Sequence, residues 1–180
     1  RTEIEGFRCE RLDREMKSDG KREKASGGIM VYIHQGLKYV KFAADEREGN
    51  LQYMIFRVSE PVQVDIVVIY NPPHGSHVQR FTSYLNLLAA SRVCSKYPVV
   101  VLGDINIDQL NLKKYPNTHV DAMKSALRLL NLSQRVNRIT RLRPADLSGA
   151  ILDHIYTTNL NIISECDVMR INESDHDIVY

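Results

Sequence analysis

Tyr97-Pro98-Val99-Val100-Val101-Leu102-Gly103-Asp104-Ile105-Asn106 is the stretch on which the fold of this chain turns. A continuous aliphatic run bounded by a proline and a glycine has the pattern of a short strand buried on both faces, deep in an α/β sheet. At its carboxyl end the chemistry changes to Gly-Asp-x-Asn. Gly103 allows a turn or a close backbone approach that a Cβ would block. Asp104 and Asn106 are two residues apart, so an extended chain points both side chains the same way. A carboxylate and a carboxamide aimed together from a rigid strand can hold a water, a cation or a phosphoryl oxygen. An Asx-rich turn after a core strand fits the same residues.

Outward from this strand the chain divides into elements by period and punctuation. Upstream, Ile29 to Ile33, Leu51 to Val58 and Val62 to Tyr70 have strand patterns. The last two are joined only by Ser59-Glu60-Pro61 and are expected to pair as an antiparallel hairpin. Val62, Val64, Ile66, Val68 and Tyr70 share one face by alternation, and Asn71-Pro72-Pro73-His74-Gly75 ends the strand. Val78, Phe81, Leu85 and Leu88 form the apolar stripe of a helix running to about Ser95, and Val120, Met123, Leu127 and Leu130 form a second. Thr118 with Asp121 three residues on resembles a capping box. Downstream, Ile151 to Thr157 and Ile162 to Arg170 are expected strands, and Ile178-Val179-Tyr180 begins another. The first 24 residues mix charges of both signs and suggest a solvated loop with one edge strand near Gly6-Phe7-Arg8-Cys9. Helices placed between strands suggest a layered α/β sandwich.

Bulk properties bound the rest. One domain spanning residues 1 to 180 is the expectation for this length, with 43 % hydrophobic residues and a mean hydropathy of -0.30. A formal charge of +2 is too small to name a partner. Cys9, Cys94 and Cys166 are scattered, which fits neither a disulfide framework nor a zinc site and points to a reducing compartment. No apolar run approaches membrane-spanning length, and no signal peptide is visible, so an intracellular location without a membrane is expected. The chain begins at Arg1 rather than methionine and is expected to be a piece of a longer one.

Polar clusters punctuate the strand ends: Tyr70-Asn71, Asp104-x-Asn106, Leu152-Asp153-His154 and Ser174-Asp175-His176-Asp177. Loops at strand ends carry function because a rigid sheet positions them. Tyr70 could be a core tyrosine or a site residue. Asp153 lies in an apolar strand, where a carboxylate is costly unless paired. His154 has the opposite parity and is assigned a structural role. A histidine can exchange protons with a reacting group when a carboxylate fixes its tautomer, and Asp153 is the natural partner for His176. That leaves Asp175 to bind a hard divalent cation, Asp104 to orient or deprotonate water, and Asn106 to donate to a developing oxyanion. Such a set suits metal-assisted hydrolysis of a phosphate ester. Arg135, Arg138, Arg141 and Arg143 add either a phosphate-contacting surface or a solvated face.

Several of these stretches recur in a fixed order: Gly6-Phe7-Arg8-Cys9, Gly27-Gly28-Ile29-Met30-Val31-Tyr32-Ile33, Tyr70-Asn71-Pro72-Pro73, Gly103-Asp104-Ile105-Asn106, Thr140-Arg141, Leu152-Asp153-His154-Ile155-Tyr156 and Ser174-Asp175-His176. In that order the chain resembles the endonuclease/exonuclease/phosphatase superfamily, and most of all the apurinic/apyrimidinic-like endonuclease domain of non-LTR retrotransposons. The resemblance implies a four-layered α/β/β/α sandwich, like that of deoxyribonuclease I, with a site at one rim. It implies that Asp104 activates water, Asn106 supports the transition state, Tyr70 contacts the scissile phosphate and Asp153 pairs with His176. Asp175 would hold Mg2+ or Mn2+, Asn71, Thr140 and Arg141 would meet the substrate, and Ser174 would support the His-bearing loop beside it. By the same resemblance the substrate is DNA, the location nuclear, and a reverse transcriptase could be linked downstream, with no obligate protein partner. RNA, an inositol phosphate or a sphingolipid are alternative substrates, and a non-catalytic remnant or nucleic-acid-binding module is an alternative function. The superfamily's first two strands, ending in an active-site asparagine and a metal-binding glutamate, have no counterpart before Gly6. The fold is therefore expected to be incomplete at both ends, with weakened metal binding.

Overall fold

In a computed structural model of the chain, residues 3–13, 28–46, 51–91, 96–142 and 148–180 are described. Gly27, Cys94 and Arg143 lie outside them. The strands are β1 (Phe7–Asp13), β2 (Gly28–His34), β3 (Lys38–Glu46), β4 (Gln52–Glu60), β5 (Val64–Tyr70) and β6 (Val99–Asp104), with helix α1 (His77–Ser91) between the last two. Helix α2 (Asn117–Leu129) follows, then the short β7 (Ser133–Gln134), β8 (Arg141–Leu142) and β9 (Gly149–Ala150). The chain closes with β10 (Asp153–Thr157), β11 (Val168–Met169) and β12 (Ile178–Val179).

A central six-stranded mixed sheet runs in the order β3-β4-β5-β6-β10-β7, with β5 and β6 parallel and the other neighbours antiparallel. The Val99 to Leu102 run is thus an interior strand, as its aliphatic continuity requires. One sheet face packs on the helices: Val67, Ile69, Val99, Val101 and Tyr156 meet Phe81, Leu85, Leu88, Met123 and Leu127 in one core. The whole first predicted stripe is in that core, with Met123 and Leu127 of the second and Leu130 packed against it. The other face presents Ile66, Val68 and Tyr70, with Met54 and Phe56, to Ile29 and Ile33 of the antiparallel β1–β2 ribbon. This mixed α/β arrangement, a multi-stranded sheet flanked by helices, is the deoxyribonuclease I-like sandwich that the sequence suggests. Among the described residues α1 and α2 are the only α-helices.

Three local expectations change. Helix α2 begins one residue before Thr118, with Pro116 at its N-cap position (φ -55) and no side-chain cap, because the fixed proline torsion already sets the entry. The Ile162 to Arg170 segment is a 3-10 turn at Leu160–Ile162 followed by the two-residue β11. Ser164, Glu165 and Asp167 break its alternation, and Asp167 Oδ1 accepts from the Val168 amide. Strand β3 was not expected at all. It is an edge strand, bulged between Lys41 and Ala43, whose lysines and exposed Val40 mask the period-2 signal.

Gly103 has φ +135 and sits opposite Ile69 of β5, whose carbonyl oxygen occupies the place a Cβ would take. Both the torsion and the contact demand glycine. Gly103→Ala should therefore lower stability by about 2–4 kcal/mol, measured by urea denaturation. A loss below about 0.5 kcal/mol would show that the two strands need not approach so closely.

Candidate functional site

Register builds the site. Tyr70 at the end of β5 pairs with Asp104 at the end of β6, and Asp104 pairs with Asp153 at the start of β10. Directly paired residues project from the same face, so a phenol and two carboxylates form a row along one sheet rim, on the face away from the helices. His176 completes the group: its Nδ1 lies 2.8 Å from Asp153 Oδ2. One ligand atom each from Asp104, Asp153 and His176 lie within 4.8 Å of one another.

The electrostatics follow from that crowding. Partial burial, then the neighbouring Asp153 charge, pushes the Asp104 carboxyl up to about 6, while His176 works against the rise. The hydrogen bond to Asp153 raises His176 above its ordinary value despite burial. Because Nδ1 is committed to Asp153, proton exchange at His176 falls to Nε2. The donor set of two carboxylates and an imidazole, gathered this closely, suits a divalent cation.

Backbone-directed side chains fix the row from behind. The Thr140 hydroxyl accepts from the amides of Leu152 (3.0 Å) and Asp153 (3.1 Å), and the Thr140 carbonyl accepts from Asp177 N at 2.7 Å. Thr140 is fully buried, so it aligns Asp153 and the His176 loop instead of meeting a substrate directly. Asn71 is equally buried. Its Nδ2 donates to the carbonyls of His77 (3.0 Å) and Ile105 (2.9 Å), tying α1 to the loop after β6. Ser174 Oγ accepts from His176 N at 3.1 Å, the supporting role expected of it.

Other assignments are corrected by geometry. Asn106 is not an extended-strand neighbour of Asp104. It has φ 55, its amide N–H donates to Asp104 Oδ1 in an Asx turn, and its Nδ2 donates to the Asn71 carbonyl. The Asx-turn alternative and a place at the site rim are both realised, since Asn106 also lines the adjoining pocket. Asp175 stands outside the ligand cluster, and Arg141 engages its Oδ2 through Nε at 2.9 Å and Nη2 at 2.7 Å. That ion pair holds the Asp175 carboxyl below its ordinary value. Arg141 thus carries an acidic partner, and Arg138 pairs with Asp167 at 2.8 Å, so the arginine run is no uniform phosphate surface. His154 is structural, as its parity required. Gln134 Oε1 accepts from three backbone amides, which turns Gln134 Nε2 to His154 Nδ1 and leaves the His154 Nε2–H to donate to the Ile107 carbonyl at 2.9 Å. Burial pushes this histidine down to about 4, so it is neutral.

Beside the row, with no carboxylate in its lining, opens a pocket of about 200 Å3 bounded by Pro73, His77, Asn106, Lys114, Tyr115 and Arg141. Lys114 and Tyr115 had no sequence signal beyond their place after the Asp104 loop. Lys114 ends a 3-10 segment, Gln109–Lys114, and Tyr115 follows it as the C-cap, while Asp108 caps its start by accepting from Leu110 N.

Comparison with known proteins adds the fold. No protein-family model matches the chain, and no curated protein matches its sequence. Solved structures do. An endonuclease/exonuclease/phosphatase family protein from Bacteroides thetaiotaomicron is 13 % identical, with a TM-score of 0.58 over 97 % of this chain and 74 % of its own. A mannosyl-6-phosphatase of the same organism is 13 % identical, with a TM-score of 0.60 over 98 % and 76 %. TDP2 of D. rerio, complexed with single-strand DNA product, is 11 % identical, with a TM-score of 0.55 over 96 % and 74 %. The chain shares the fold of the endonuclease/exonuclease/phosphatase superfamily. No helix among the described residues is long and apolar enough to cross a membrane.

The raised Asp104 value carries a stability consequence. A carboxyl whose folded pKa exceeds its unfolded one stabilises fully below the unfolded value and loses that contribution as pH rises through the folded value, here between about pH 4 and 6. In EDTA at pH 8, Asp104→Asn should therefore be more stable than the parent by about 1–3 kcal/mol, with the gap closing at pH 4. A pH-independent gap would show that Asp104 ionises normally.

Proposed function

We propose that this chain is a divalent-metal-dependent phosphoester hydrolase of the endonuclease/exonuclease/phosphatase type. The opposed Asp104 and Asp153 carboxylates, with His176 held on Asp153, carry the reading. Two acids crowded on one rim, one of them with its pKa near 6, form a centre that gains by binding a cation or a proton. Asp104 and Asp153 would hold a divalent cation, Mg2+ or Mn2+ by the hardness of the oxygen donors, which would supply charge stabilisation to a phosphoryl oxygen. The protein's own groups then divide the remaining work. Asp104 orients the attacking water through a carboxylate oxygen. His176, oriented by Asp153, exchanges a proton through Nε2 with a phosphate oxygen. Tyr70, next in the row, positions the phosphate, and Asn106 fixes Asp104 through its backbone amide.

Within this class the order of the motifs favours a DNA phosphodiester, in the manner of a retroelement endonuclease. The structural neighbours support the broader phosphoesterase reading more evenly, since they include both a phosphatase and a protein in complex with a DNA product. Asp175 remains a ligand only if Arg141 releases it.

The test is hydrolysis of bis(p-nitrophenyl) phosphate with Mg2+ or Mn2+, followed by nicking of supercoiled plasmid. Asp104→Ala and His176→Ala should each lower the diester rate by about 10²–10⁴-fold, and EDTA should abolish it. Plasmid nicking with the same dependence supports the DNA reading. Release from p-nitrophenyl phosphate without nicking favours a phosphatase. A rate indifferent to EDTA and to Asp104→Ala overturns the proposal.

A further inference from the structure

We propose that the pocket beside the carboxylate row seats a second phosphate, the neighbour along a nucleotide strand of the phosphate being hydrolysed. The inference rests on the phosphoesterase reading and names its substrate class. Chain adjacency joins pocket to row. Asn106 in its lining donates its amide N–H to Asp104 Oδ1 at 3.1 Å, Leu152 in its lining precedes Asp153, and Arg141 is bridge-paired with His176. The two halves differ in sign. The row offers two carboxylates, whereas the pocket offers Lys114 and Arg141 with no acidic side chain among its lining residues.

Each cation is aimed by an acid that does not line the pocket. Lys114 Nζ lies 3.4 Å from Asp108 Oδ2, and the Asp108 side chain is 8 % exposed against 37 % for Lys114. The acid is covered and the ammonium is presented. Asp108 is itself held by its own amide, which donates to the Tyr115 hydroxyl at 3.0 Å, and by Leu110 N donating to its Oδ1 at 3.1 Å. Arg141 is oriented in the same way by Asp175. Preorganised cations of this kind suit an anion with several acceptor oxygens.

The remaining walls suit the sugar that joins two phosphates. Tyr115 and His77 meet edge to face at 5.4 Å, and Lys114 Nζ lies 5.0 Å from the centre of the Tyr115 ring. With its hydroxyl held at Asp108, Tyr115 presents a ring face rather than a polar end. The volume of about 200 Å3 exceeds several waters' share of liquid, enough for a phosphate with part of its sugar. A phosphomonoester of a simple sugar would leave this basic pocket unused.

Binding to the full chain in Mg2+, with phosphorothioate-linked probes that resist hydrolysis and at one fixed ionic strength, separates the cases. The probes are a thymidine dinucleotide with one internal phosphate, a trinucleotide with two, and thymidine 5′-diphosphate. The parent should bind the trinucleotide about tenfold more tightly than the dinucleotide. Lys114→Ala should shrink that ratio to below about twofold, and Lys114→Arg should keep most of it. Equal binding of the two oligomers by the parent overturns the proposal, as does a ratio unmoved in Lys114→Ala. Tighter binding of the diphosphate than of the trinucleotide would assign the pocket to a diphosphate ester and overturn the strand assignment. The one-phosphate aryl diester tests the hydrolase reading separately, so either can fail alone.

Discussion

Two carboxylates directly opposed across neighbouring antiparallel strands are the constraint on which this molecule depends. Like charges at such a pair are unfavourable, and partial burial makes the repulsion worse. The sheet nevertheless enforces it. A slip of one residue between β6 and β10 would turn Asp153 toward the helices and bring His154 to the site face, exchanging a carboxylate for a neutral, hydrogen-bonded imidazole. The contact of Gly103 with the Ile69 carbonyl resists any change between β5 and β6, and the Thr140 hydroxyl on two successive amides resists it at β10. The register that creates the repulsion is thus held by groups that have nothing to do with charge.

The loops around the row follow the same logic. Asn71 Nδ2 donates to the Ile105 carbonyl and Asn106 Nδ2 donates to the Asn71 carbonyl, which ties the ends of β5 and β6 together. Arg80 of α1 donates to the carbonyls of Pro72 (2.5 Å) and His74 (2.7 Å) and keeps the proline turn against its helix. On the far side, Thr140 links Asp153 to the Asp177 amide and so to His176. Buried polar groups of this kind are costly unless satisfied, and each satisfies a backbone group that the end of a strand leaves unpaired.

Much of this was legible in the sequence because it depends on short-range periods. The aliphatic run of β6, the hairpin of β4 and β5, both helical stripes and the opposite parities of Asp153 and His154 all follow from local alternation. The pairing of Asp153 with His176 was accessible from chemistry, since only a partnered carboxylate is tolerable in that strand. What the sequence hid depends on torsions and on long-range neighbours. Asn106 leaves the extended region, so its two-residue spacing from Asp104 conveys nothing about direction. Asp175 and Arg141 are 34 residues apart in sequence and form an ion pair, which no local pattern reveals. Asn71 and Thr140 are polar residues at strand ends like their functional neighbours, and only their burial shows that they position the site. Lys114 and Tyr115 lie at the end of an irregular 3-10 segment with no period to detect.

The fold is shared with a phosphatase and with a protein solved in complex with a DNA product, at identities too low to transmit an activity, so the proposed function rests on the charge arrangement at the rim. Two opposed acids that resist ionising together are a centre waiting for positive charge, and a basic pocket at their side is its complement. The most direct measurement is anomalous diffraction from crystals of the chain soaked in Mn2+. The account predicts one strong peak bonded to carboxylate oxygens of both Asp104 and Asp153. A peak at Asp175 alone, or none at the row, would contradict it.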